Sequence, residues 1–128
     1  MKKSYIETED VEMWEESGIV HVLFKPHIVN VGLAFSKNYV KERFKVLQET
    51  TKPVLVDVNK AKSIDKDARD YLAGEEASKY ISAGALIVHS MAAKFGGNFF
   101  LTVNKPPFPT KLFTNKEKAV QWLSLFKT

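Results

Sequence analysis

Short apolar strands and amphipathic helices alternate along the chain. From Val20 to Phe24 every second residue is apolar, a period that predicts a half-buried strand, and Ser17-Gly18 just before it is a turn signal. The segments Val11–Glu16 and Gly18–Lys25 are therefore predicted to form a hairpin.

A helix is predicted over Ser36–Thr50, because apolar side chains recur there at the spacing of one helix face. Those apolar residues are Val40, Phe44 and Leu47. The opposite side carries a basic stripe, which could meet an acidic partner or anionic lipid, although a charged helix face is usually just solvated. We assign four residues to this stripe, Lys37, Lys41, Arg43 and Lys45.

The middle of the chain contains two apolar runs, Val54–Val58 and Ala83–Val88, of the kind found in strands buried on both faces. Between them, Asp65 is a candidate N-cap for a helix that extends through Ala73, with Gly74 as its C-cap. Strands of this type are expected to have parallel neighbours.

The last third of the chain predicts a helix from Met91 to about Val103, which Gly96-Gly97 weaken because each glycine costs about 1 kcal/mol relative to alanine. A short strand, Thr110–Phe113, follows. The stretch Thr114-Asn115-Lys116-Glu117 has the form of a capping box and predicts the start of a final helix.

These elements give the order β-β-α-β-α-β-α-β-α, which indicates an α/β fold with a mostly parallel central sheet flanked by helices. The 128 residues fit one domain, since domains commonly have ~100–200 residues. We expect residues 1–128 to form that domain, with residues 1–10 as a loose N-terminal segment.

Composition excludes several classes of function. The chain has no cysteine, which rules out thiolate nucleophiles, disulfides and cysteine-ligated metals and suits a reducing cytoplasm. Its three histidines lack metal-ligand spacing and its glycines form no phosphate-binding loop, so we expect no metal and no cofactor.

Charge and hydropathy argue against nucleic acid and against membrane insertion. The net charge of +4 comes mainly from dispersed lysines, without an arginine-rich run or an aromatic RNA-binding signature. The longest stretch without Asp, Glu, Lys or Arg, Tyr80–Ala93, has 14 residues, fewer than the ~20 that a membrane-spanning helix needs.

Three stretches resemble a known family: Lys52–Gly74, Gly84–Ser90 and Pro109–Leu123. With the order of elements, they resemble the bacterial STAS-like (SpoIIAA-like) fold of the anti-sigma-factor antagonists. More narrowly, they are similar to small uncharacterised bacterial STAS/SEC14-like proteins. The resemblance covers nearly the whole chain, and it implies a fold more clearly than a function.

In the antagonists of that family, a partner kinase phosphorylates a hydroxyl residue in the loop after the central strand. The matching stretch here has Asp67 at the phosphoacceptor position and Ala68 where the family has glycine. A carboxylate carries one charge against about 1.5 to 2 for a phosphate, so Asp67 is not its equivalent. The resemblance therefore implies a regulatory role without implying the phosphorylation switch.

Candidate catalytic residues follow the predicted strands, where open α/β sheets bind ligands. His89 and Ser90 end one strand, and Asp65 follows its neighbour, so the residue types of a hydrolytic triad are present. Adjacent side chains on an extended strand point to opposite faces, and no Gly-x-Ser-x-Gly elbow occurs. A hydrolase using His89 with Ser90 or Asp65 is therefore the least favoured alternative.

A phenylalanine-rich segment is more apolar than one docked helix requires. Core packing accounts for part of it, and the surplus predicts a homodimer surface or a groove for an apolar ligand. The residues concerned are Phe95, Phe99, Phe100 and Phe108.

We therefore expect a non-enzymatic, cytoplasmic regulatory or interaction module that binds a protein partner or itself at the start of the second helix, where free N–H groups favour anions. The predicted partner-binding residues are Ser63, Asp65, Lys66 and Asp67. The alternative is a carrier of a small apolar or lipid-like ligand, which requires a cavity beside the phenylalanine-rich segment.

Overall fold

The computed structural model describes residues 2–127. It contains eight strands in that part of the chain: β1 (Lys3–Glu7), β2 (Val11–Glu16), β3 (Ile19–Phe24), β4 (Asn30–Val31), β5 (Lys52–Asp57), β6 (Ser63–Ile64), β7 (Ile81–Ile87) and β8 (Thr110–Phe113). Six of them form the central sheet in the order β1-β2-β3-β5-β7-β8, and β4 pairs with β6 in a small parallel ladder.

The central sheet has a parallel and an antiparallel half. β3, β5, β7 and β8 are parallel neighbours, with Val20 opposite Val54 and Val56 opposite Leu86. β1, β2 and β3 are antiparallel. The α/β class is thus confirmed, with the hairpin adding an antiparallel edge to a parallel sheet.

Four helices cover the sheet: α1 (Leu33–Leu47), α2 (Lys66–Leu72), α3 (Met91–Phe99) and α4 (Lys116–Leu123). A π-helix, Phe100–Asn104, continues α3, and a 3₁₀ turn, Ser124–Phe126, follows α4. One face of the sheet, including Val54 and Val56, packs against α1 and α2. The other face, including Leu55 and Ala85, packs against α4.

The N-terminal segment is a correction to the sequence analysis. Lys3–Glu7 is not loose but forms the edge strand β1, anchored by Ile6, which packs against the core. The sequence analysis did not predict this strand because the segment is rich in charged residues. Charged residues are nevertheless common on edge strands, where only one edge of the strand is hydrogen-bonded to a neighbour. The Tyr5 hydroxyl donates to the Glu12 carboxylate at 2.8 Å, and this hydrogen bond raises the pKa of Tyr5 to about 12.

Several helix boundaries also differ from those predicted. α1 begins three residues earlier than Ser36, after the extended backbone of Gly32, and ends where Gln48 adopts a left-handed conformation. The final helix is capped by the Asn115 side chain, which accepts from the Lys118 amide, so Thr114 does not act as the N-cap. At the end of α2 the C-cap is Ala73 rather than Gly74.

The two adjacent glycines of α3 have different surroundings. A Cβ atom at Gly97 would lie 2.8 Å from Cδ2 of Leu112 on β8, closer than van der Waals contact allows. A Cβ atom at Gly96 would have only the Lys62 carbonyl oxygen within 4 Å, at 3.9 Å. Gly97 therefore lets α3 approach β8 closely, whereas Gly96 has room for a side chain.

Replacing each glycine by alanine tests this difference. Gly96→Ala should raise the free energy of unfolding by about 0.5–1 kcal/mol, because alanine is the better helix former. Gly97→Ala has the same helix-propensity gain but forces Leu112 to move, and overpacking of this kind costs about 1–3 kcal/mol. We expect it to be at least about 1 kcal/mol less stable than Gly96→Ala in urea unfolding; equal stabilities would contradict the close contact.

A buried histidine lies on the α4 side of the sheet. His21 on β3 stacks on Trp14 of β2, with ring centroids 5.4 Å apart, and its Nδ1 has no hydrogen-bond partner within residues 2–127. Burial lowers the pKa of His21 below its ordinary value of 6.5, and the positive charge of Lys116 lowers it further. The folded protein therefore favours the neutral imidazole.

This shift predicts a pH-dependent stability. Above about pH 6.5 His21 is neutral in both states, but below it the unfolded chain takes up a proton more readily than the folded one. The free energy of unfolding should consequently fall as the pH is lowered from 6.5. His21→Phe, which keeps the stack on Trp14, should show a shallower fall in urea unfolding across this range; identical slopes would contradict the assignment.

Candidate functional site

A chamber of about 140 Å³ lies between the parallel half of the sheet and the helices that cover it. Its floor is formed by side chains and backbone of β5 and β7, namely Val54, Val56, Gly84 and Leu86. Its roof is the inner face of α3 and the start of the π-helix, namely Ala93, Gly96, Gly97 and Phe100. Phe108, in the loop before β8, and Leu72, at the end of α2, also line it.

The chamber exists because the inner face of α3 carries small residues. Gly97 brings α3 close to Leu112 at one side, and no long side chain of α3 fills the space on the other. Phe108 also packs tightly on β7, since a Cβ atom at Gly84 would lie 2.9 Å from its ring. Close contacts therefore define the walls of the chamber, and the space under α3 is not filled by side chains.

The outer face of α3 is apolar and exposed. Met91 is 80% exposed and Phe95 75% exposed, and Phe99 and Val103 continue the same row at intervals of four residues. We call these four residues the outer ridge. The phenylalanine-rich segment thus divides into Phe95 and Phe99 on the outer ridge and Phe100 and Phe108 at the chamber.

A group of hydrogen bonds connects the π-helix, at the end of the chamber roof, to α2. Arg69 of α2 donates through Nε to the Asn104 side chain at 3.1 Å and through Nη1 to the Ile64 carbonyl at 3.2 Å. Its guanidinium also lies over the ring of Phe99, 4.7 Å from the centroid. Asn104 in turn donates to Asp70 at 2.8 Å. The π-helix is therefore attached to α2.

Arg43 is the main correction among the predicted surface residues. It does not belong to the exposed basic stripe, since it is only 3% exposed and lines the chamber. It shares the buried face of α1 with Tyr39, Val40 and Leu47, which are three or four residues away along the helix. That spacing was the sequence signal for the burial of Arg43. It was not used because a charged residue is rarely fully buried.

The predicted partner-binding residues lie at the beginning of α2. Ser63 donates to the Asn30 side chain at 2.7 Å, and Asn30 donates to Asp65 at 3.2 Å, so Asn30 joins two of them. Lys66 forms an exposed ion pair with Asp70, and Asp67 accepts from the Ala68 amide. The sequence analysis missed Asn30, which a distant β4–β6 pairing brings to this loop.

The proposed hydrolytic set is not assembled. His89 Nε2 lies 2.7 Å from Asp57 Oδ1 rather than bonding to Asp65, and the Ser90 hydroxyl oxygen accepts from the Ala93 amide as the N-cap of α3. Asp57 shares its sheet face with Leu55, on the side away from the chamber. Asp57 was missed because its strand end meets His89 only through the β5–β7 pairing.

Residues 2–127 contain neither a cluster of metal-ligating side chains nor a membrane-spanning helix. No group of three or more His, Cys, Asp or Glu side chains is arranged to hold a metal ion there. Within the same described range, no helix combines the length and apolar character needed to cross a bilayer.

The fold defines the class of protein. The structure is similar to the crystal structure of an uncharacterised protein of the DUF3478 family from Shewanella loihica PV-4, described as having a SpoIIAA-like fold. The TM-score is 0.59 at 14% sequence identity, and the match covers 96% of this chain and 95% of the other. The chain therefore has a SpoIIAA-like fold, as its sequence resemblance implied.

The family is shown by the sequence. The protein-family model described as Domain of unknown function (DUF7793) matches residues 13–127 of the sequence, and the chain belongs to that family. No curated protein matches it. The family description assigns no activity, so the function has to be argued from the site.

The attachment of the π-helix to α2 can be tested by substitution. Arg69→Ala removes two hydrogen bonds from a charged group, and we expect it to lower the free energy of unfolding by about 2 kcal/mol and to speed amide exchange in residues 100–104. Lys66→Ala is the matched control on the same helix, because an exposed ion pair contributes less than about 1 kcal/mol. Equal losses in the two variants would contradict the attachment.

Proposed function

We propose that this protein is a non-enzymatic binding domain that holds a small apolar molecule in the chamber beneath α3. The observation that carries the proposal is the chamber itself, a space of about 140 Å³ lined mainly by aliphatic and aromatic residues. Ligand sites are typically concave and apolar with a few polar groups, and this chamber has that character.

The volume limits the ligand. A cavity of about 150 Å³ lined by apolar side chains stays dry and binds a molecule such as benzene. The enclosed part of the ligand should therefore be one ring or a short acyl chain, not a long lipid tail. This is the carrier alternative of the sequence analysis, restricted to small ligands.

Filling the chamber tests the proposal. Methyl NMR during titration with 1-octanol should shift the signals of Val54, Val56 and Leu86 in the wild-type protein. Gly96→Leu places a side chain in the chamber and should weaken 1-octanol binding by at least about tenfold, which corresponds to about 1.4 kcal/mol. Asn98→Leu, at an exposed position of the same helix, is the control and should bind as the wild type does.

Two results would contradict the chamber as the binding site. One is a set of shifted signals scattered over the surface, with no preference for the chamber. The other is a Gly96→Leu protein that stays folded and binds 1-octanol as well as the wild type. Thermal unfolding monitored by circular dichroism establishes that the variant is folded.

A second candidate function is self-association, which the outer ridge favours. Met91, Phe95, Phe99 and Val103 place large apolar side chains in contact with solvent. Exposed apolar patches of this kind mark interaction surfaces. This keeps the predicted interaction module but locates its surface on α3, because the side chains of the Ser63–Asp67 loop are engaged in contacts with α2 and with Asn30.

Sedimentation velocity distinguishes the two functions. If the outer ridge is a homodimer surface, the wild-type protein should sediment as a dimer and Phe95→Asp as a monomer, because a buried charge without a partner opposes association. Lys94→Asp, also exposed on α3, is the charge control. A wild-type monomer at high concentration would rule out this candidate and leave the chamber unaffected.

A further inference from the structure

One charged side chain that lines the chamber is buried, and no acidic side chain of residues 2–127 forms an ion pair with it. Arg43 is 3% exposed, and no carboxylate oxygen within residues 2–127 lies within 4.0 Å of its guanidinium. Burying a charge without an opposite charge is costly, so buried arginines are normally paired. Among the described residues, Arg43 departs from that pattern.

The hydrogen bonds of Arg43 are also incomplete. Nη2 donates to the Ala77 carbonyl, and the guanidinium lies over the Tyr39 ring, 5.0 Å from its centroid. The Nε group is buried and has no acceptor among the described residues. A guanidinium has five N–H donors in a planar fork that fits a carboxylate or phosphate, and it keeps its charge at physiological pH.

The second charged residue that lines the chamber, Lys62, has the same sign as Arg43, and no Asp or Glu of residues 2–127 lines it. Burial raises the pKa of Tyr71, Glu76 raises it further and Arg43 lowers it, so Glu76 is the acidic residue near Arg43. Glu76 is exposed, and no ion pair among the described residues joins it to Arg43. The chamber therefore combines apolar walls with two positively charged lining residues.

We propose that the natural ligand is a small amphiphilic acid, whose apolar part occupies the chamber and whose anionic group pairs with Arg43. This inference rests on the proposed function and names the class of its ligand. The anionic group adds an acceptor of opposite charge to the Ala77 carbonyl, and α3 covers part of the apolar group. Tyr39 and Ala77 hold the guanidinium in position from the protein side.

The test compares two probes that share an eight-carbon chain and differ in charge, sodium octanoate and 1-octanol. At pH 7.5 octanoate should bind the wild-type protein at least about tenfold more tightly, because hydrogen bonds to charged groups are the stronger ones. Binding is measured by isothermal titration calorimetry and by the methyl signals of the chamber.

Three variants assign the preference to one residue. Arg43→Met, which replaces the buried charge with an apolar side chain, should remove the octanoate preference, so that octanoate binds this variant no more tightly than 1-octanol does. Arg43→Lys keeps a positive charge without the planar fork and should retain part of the preference. Lys41→Met, at an exposed position of the same helix that does not line the chamber, is the matched control and should keep the full preference.

The outcomes separate this inference from the proposed function. If 1-octanol binds in the chamber but octanoate binds no more tightly, the acid is excluded and the apolar binding site stands. If Arg43→Met keeps the preference, or if Lys41→Met loses it, the assignment to Arg43 is wrong. If neither probe binds, the chamber is not a binding site, and both proposals fail. If Arg43→Met does not fold, the octanoate preference of Arg43→Lys decides the assignment, and a preference equal to that of the wild type would contradict it.

Discussion

The close approach of α3 to β8 determines how the rest of this face is arranged. Gly97 lets the helix rest against Leu112, and the residues that point inward beside it, Ala93 and Gly96, are too short to reach across to α1 and α2. A helix with leucines at these positions would fill the interval and make a continuous core. With small residues there, the sheet is covered but the space beneath the cover is not filled, and packed protein interiors rarely leave such a space.

The two faces of the sheet therefore have different roles. On one face α4 packs Ala119 and Leu123 against Ala83, Ala85 and Ile87, which are all buried, and this layer is solid. On the other face the α1 layer is equally well buried over β2 and β3, and the chamber occupies the region over β5 and β7. The stability of the fold therefore comes from the solid regions, because the residues around an unfilled space lose packing contacts.

The fold was largely predictable because its signals are local. The apolar runs that became β5 and β7, and the periodicity of α4, depend on neighbours in the sequence. β1 was missed because its short, charged segment forms a strand only through its pairing with β2. The site was less predictable for the same physical reason: Asp57 meets His89 and Asn30 meets Ser63 through strand pairings, and the burial of Arg43 depends on what packs above it. The small residues of α3 are visible in the sequence, but whether they leave a void depends on what packs around them.

The π-helix after α3 has an evolutionary consequence. Its backbone spacing, in which the Lys105 amide reaches back five residues to the Phe100 carbonyl, accommodates one more residue in a turn than an α-helix does. Deleting one residue there would restore α-helical spacing and leave the following chain in nearly the same orientation, because the π-turn absorbs the extra residue locally. The segment that follows includes Pro106 and Phe108, which line the chamber. A single-codon insertion or deletion in this turn would thus change the length of the helix while leaving the sheet, Phe108 and Arg43 in place.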